Sequence, residues 1–175
     1  MRKLLEHNDD DPIVAETLKT MGNVVGQNEN VIMAGFPITL QRGDAMDTVG
    51  LLYTLQNLQC DNNYYNFTQR NVEGIKGKFK DIKDGIVVVL AGVQKSISIL
   101  DQLLKADYVK SVVLMVPSVA GGNKGIIGDT IFKDNIQHTK IKIVVNDNAS
   151  KNAVLTLLGD NKNGNKLNMI PSLSF

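Results

Sequence analysis

The chain of 175 residues has no tryptophan, a single cysteine, two histidines and only 5% aromatic residues. A lone Cys60 cannot close an internal disulfide, and the cysteine and histidine spacings of structural zinc sites are absent. A free thiol in a reducing cytoplasm is expected. Nineteen basic residues against 18 acidic leave a formal charge of +1, which gives no electrostatic footprint for nucleic acid or an anionic membrane. No apolar run approaches the roughly 18 residues of a membrane span. The N-terminal stretch, with Asp9-Asp10-Asp11, shows no signal-peptide core. A cytoplasmic protein with neither nucleic acid nor membrane as partner is expected. With so few aromatics the core must be built from Val, Ile and Leu, as in parallel sheets buried on both faces.

What is present agrees with that. At this length one domain is expected. Ile86-Val87-Val88-Val89-Leu90-Ala91 is an apolar run ended by Gly92, an amphipathic segment covers 94–105, and a second apolar run covers 111–116. Two β-branched runs bracketing a helix predict a βαβ unit. A further strand is predicted at Val31-Ile32-Met33-Ala34 and another at 141–145, with helices over 12–21 (Asp11 as N-cap, ended by Gly22), 44–58 and 150–158 (ended by Gly159). Residues 72–82 hint at a short helix within the polar stretch 59–83, and a turn or two of helix is expected within 128–137. The fold class is therefore α/β, a Rossmann-like, three-layer open and mostly parallel sheet of about four strands with helices on both faces. Residues 1–159 form the domain. Residues 160–175 are a polar turn and an apolar C-terminal tail, either frayed or docked on its own domain or on a second subunit of a homo-oligomer.

Ligands of open parallel sheets sit beyond the carboxyl ends of the strands, where helix N-termini aim free backbone N–H groups at the crevice. That nominates the loops 35–47, 92–96, 117–129 and 146–150. Lys95-Ser96 opens a helix just after a strand, but the spacing G-x-x-x-x-G-K-[ST] of a phosphate loop is missing. An exposed first helical turn is the alternative. The segment 121–128 holds four glycines in eight positions, at a cost of about 1 kcal/mol each in regular structure. Close backbone approach to an anion beside Lys124 explains them, as does a surface loop. Asp44, Asp47, Asp129 and Asp147 are the acids of these loops; converging pairs could hold a hard divalent ion or divide acid and base roles, whereas capping is the ordinary role of Asp44, Asp47 and Asp147 each taken alone.

Four of these strings, in order, resemble the D-glutamate cyclase family. They are Gly35-Phe36-Pro37 with Asp44, Asp47 and Gly50; Asn63-Tyr64-Tyr65-Asn66; Gly121-Gly122-Asn123-Lys124-Gly125; and Val145-Asn146-Asp147-Asn148. The family has glutamate where this chain has Lys124. The resemblance implies a lyase that closes 5-oxo-D-proline from D-glutamate by intramolecular dehydration, assisted by a divalent metal such as manganese. It implies Asp44, Asp47 and Asn123 as catalytic residues. It further implies Asn63, Gly121, Gly122, Lys124 and Asn146 as substrate-binding residues, and Asp47 and Asp147 as metal ligands. The alternative is a non-catalytic α/β module that binds a small anion or a protein partner.

Overall fold

The structure is a computed structural model that describes residues 12–26, 30–34, 64–67, 72–79, 84–92, 94–116, 125–159 and 166–170. The helix expected over 44–58 lies outside the described residues. The described elements are, in order, helix α1 (Pro12–Val25), strands β1 (Asn30–Ala34) and β2 (Tyr64–Phe67), helix α2 (Val72–Phe79) and strand β3 (Ile86–Ala91). Helices α3 (Gln94–Ile97) and α4 (Leu100–Lys105), strand β4 (Val109–Met115), a 3-10 turn (Gly125–Gly128) and helix α5 (Thr130–Asn135) follow. Strand β5 (Ile141–Val145), helix α6 (Asn148–Leu158) and strand β6 (Leu167–Met169) complete them.

The six described strands form one all-parallel sheet in the order β2-β1-β3-β4-β5-β6. The α/β class and the helices on both faces are as expected, and the sheet is two strands wider than expected. From β2 onward every crossover runs in one direction across the sheet. A right-handed hand for each then puts its helix on a single face. That is the packing found: α2, α3, α4, α5 and α6 bury Val72, Ile75, Ile97, Leu100, Phe132, Val154 and Leu158 against Ile32, Val88, Leu90, Val112, Leu114, Ile143 and Val145. On the other face α1 buries Met21, Val24 and Val25 against Val31, Met33, Val87, Val89, Val113 and Val144. Alternate residues of each strand thus enter opposite layers, and β3 is buried at all six positions.

Four details depart from the pattern expected of the sequence. Gly22 does not end α1, because Thr17, Met21, Val24 and Val25 continue one buried stripe through it; the helix stops at Gly26, whose φ of 89° and N–H bond to Gly22 O (2.9 Å) close its last turn. The helix expected over 94–105 is broken in two. Ile97, Ile99 and Leu100 are all buried, and residues two apart cannot share one helical face. The break at Ser98-Ile99 brings them to one side. Strand β4 begins two residues early, with a bulge that pairs Ile86 with Val109 but Val87 with Ser111. The bulge lets Val109 and Val112, three apart, face the same layer. Finally, part of the expected tail is an edge strand, β6, followed by buried Ile170.

Candidate functional site

In this strand order the first and third strands diverge in their connections, and the crevice of a doubly wound sheet opens at their carboxyl ends. Ala34 of β1 pairs with Leu90 of β3 there. Beyond the strand ends the chain keeps to the sheet: Gly92 N–H donates to Met115 O (2.8 Å), Val116 N–H to Val144 O (2.9 Å) and Ile170 N–H to Val145 O (2.9 Å). The floor of this edge is therefore hydrogen-bonded backbone.

The elements that follow β3 and β4, helix α3 and the 3-10 turn, are brought together. The 3-10 turn that ends the glycine-rich loop contacts α3 and α5, and its Ile126 and Ile127 are buried in the core that holds Ile97. Ser96 is fully buried, which removes it from the exposed helical turn that the sequence offered as its ordinary role.

Asn146 follows directly on β5. Its side-chain Oδ1 is buried without a hydrogen-bond partner, and among the described residues it is the one buried side-chain polar atom in that condition. Burial of an unpaired amide oxygen costs about 1–3 kcal/mol. No donor among the described residues meets it. Next to it, Asp147 is the N-cap of α6, its Oδ1 accepting from Ser150 N–H at 2.7 Å. Asp129 is likewise the N-cap of α5 and accepts from Ile131 N–H at 2.8 Å. Their backbones are extended at these positions, as N-caps require.

Of the residues the sequence nominated, Asn146 and Asp147 stand at this edge side by side. Asp44, Asp47, Asn63, Gly121, Gly122, Asn123 and Lys124 lie outside the described residues. Asp147 alone, with one oxygen committed to Ser150, is not a donor set for a hard divalent ion, which takes six or more oxygen ligands. Among the described residues no three His, Cys, Asp or Glu side chains gather as a metal centre would need. Nor does any helix among them have the length and apolarity to cross a membrane. His138 is half-buried, and its Nδ1 accepts from Lys140 N–H at 3.1 Å.

No family model, curated protein or solved structure matches this chain.

Proposed function

We propose that the carboxyl edge of the sheet binds a small amino acid and cyclises it by intramolecular dehydration, as D-glutamate cyclases do. The observation that supports a ligand there is the buried, unpartnered Oδ1 of Asn146. It is an acceptor with no donor, and the amino group of an amino acid is a donor of the right kind. In the reaction the substrate nitrogen attacks the side-chain carboxyl carbon; a C–N bond forms, a C–O bond breaks, and water leaves. Asn146 would hold the nitrogen, Asp44 or Asp47 would take its proton, and Asn123 with the backbone of residues 121 and 122 would donate to the developing oxyanion. These last roles rest on the motif resemblance, as does the use of manganese.

A second reading has an observation of its own. Asp129 and Asp147, the acids of this edge among the described residues, are both committed to helix caps, which favours binding without catalysis. One set of experiments separates the two. The purified chain is incubated with D-glutamate, with and without manganese, and 5-oxoproline is followed. Product formation, lost in Asp47→Ala and lowered about tenfold in kcat/KM by Asn146→Ala, is the outcome expected of the enzyme. No product, but a thermal shift with D-glutamate that Asn146→Ala abolishes, leaves binding alone. Neither product nor shift sinks both readings.

A further inference from the structure

The opposite, amino edge of the sheet is where the helices end, so their last carbonyls and negative dipole ends gather there. Three lysines meet them. Lys142 Nζ donates to Val24 O in the last turn of α1 at 2.9 Å. Lys140 Nζ donates to Leu104 O (3.2 Å) and Ala106 O (3.1 Å) at the end of α4. Lys166 Nζ donates to Ile136 O and His138 O, both at 2.6 Å, just past α5. A helix end carries about half a negative charge, so three ammonium groups on three helix ends leave an excess of roughly one and a half positive charges. Capping alone does not use up the charge.

Two cavities adjoin at this edge, of about 360 Å³ and 400 Å³, and share Thr139 and Lys142. Lys166 lines the first; Lys110, the exposed residue skipped by the β4 bulge, and Lys140 line the second. No carboxylate is among the described lining residues, and Thr139, Ser111 and Asn168 add neutral donors. An ammonium has three donors, so within the described contacts Lys142 retains two and Lys140 and Lys166 one each. The carbonyls already hold these side chains, and little further rotamer entropy is lost on binding. Burial holds Lys166 below the ordinary lysine range, so part of its dehydration is also complete.

We propose that this cleft binds the phosphate chain of a small di- or triphosphate compound, with Lys142 at the centre and Lys110, Lys140 and Lys166 around it. A row of cations across two joined cavities suits several linked negative charges better than a single carboxylate.

The test is calorimetric titration of the full chain with tripolyphosphate, pyrophosphate and ADP at about 0.15 M salt. Saturable one-to-one binding is expected, weakened about tenfold by Lys142→Gln and by Lys110→Gln, and unchanged in Lys133→Gln on the exposed side of α5. Lys110 sits on an exposed bulge, so its variant keeps the test open if Lys142→Gln loses stability. ADP binding tenfold or more tighter than pyrophosphate assigns a nucleotide, whereas equal affinity assigns the phosphate chain alone. The proposal is overturned by the absence of saturable binding, by equal affinities in wild type and both variants, or by an equal response to sulfate at matched ionic strength.

Discussion

Two glycines show how much one Cβ depends on its place. Gly85 precedes β3 with φ of 80°, and a Cβ there would stand 3.0 Å from the backbone oxygen of Tyr108, which already accepts from Ile86 N–H. Gly85→Ala is expected to cost about 2 kcal/mol or more in urea unfolding, from the left-handed backbone together with the contact. Gly77 lies within α2 with nothing near its Cβ position, so Gly77→Ala is expected to stabilise by up to about 1 kcal/mol. Equal signs for the two would contradict this account. Tyr108 itself donates its hydroxyl to Val72 O at 3.0 Å, and burial, with a smaller contribution from Glu73, pushes its pKa up to about 12. The unfolded phenol ionises near 10. Between these values the folded chain keeps a proton that the unfolded chain has lost, so this contribution to stability is complete below pH 10 and disappears as pH rises through 12. Wild type should lose stability over that window more steeply than Tyr108→Phe, by the same urea measurement.

At the scale of elements, helix caps carry much of the local specification. Removing the Asp147 bond to Ser150 N–H by Asp147→Ala should cost about 1 kcal/mol, most of it recovered in Asp147→Ser, whose hydroxyl can cap in the same way. No loss in the alanine variant would mean that the cap is not what holds Asp147. Elements with an unmixed pattern were legible from residue types. β3 and β5 were found over the expected residues, because continuous Val and Ile runs have no good use except in a buried parallel strand. β2 was not legible, since Tyr64-Tyr65-Asn66-Phe67 lacks that run and is ordered by its pairing with β1. The end of α1, the break at Ile99 and the bulge at Lys110 were hidden for a shared reason: each satisfies burial by a distant layer, and local propensity carries no record of that layer. Of the candidate site, the carboxyl ends of β3 and β5 were legible, while the orphaned Oδ1 of Asn146 was not. Nothing in the sequence singles out the lysines of the amino edge, because the helix ends that Lys140 and Lys142 cap are distant in the chain.

For the molecule as a whole, the question is what closes the sheet at the β5 side. β6 pairs with β5 in parallel, contacts α6 on one face and α1 on the other, and leads Ile170 into the layer under α1 with Met21, Val24 and Val144. Lys166 ties the start of this strand to the turn after α5. The segment is only a few residues long, yet it touches both layers. If its docking is part of the cooperative core, Ile170→Ala should remove about 2–4 kcal/mol of unfolding free energy with an unchanged urea slope. Met169, its neighbour, is 42% exposed, and Met169→Ala should stay within about 0.5 kcal/mol of wild type. A frayed tail predicts the reverse for Ile170, namely no effect. A large effect of Met169→Ala accompanied by a fall in sedimentation mass would instead assign this edge to a contact between subunits. Met169 ends β6 and Ile170 directly follows it, still bonded to Val145 O, so only a docked segment with alternating sides makes the Ile170 substitution costly and the Met169 substitution neutral in a chain of unchanged mass.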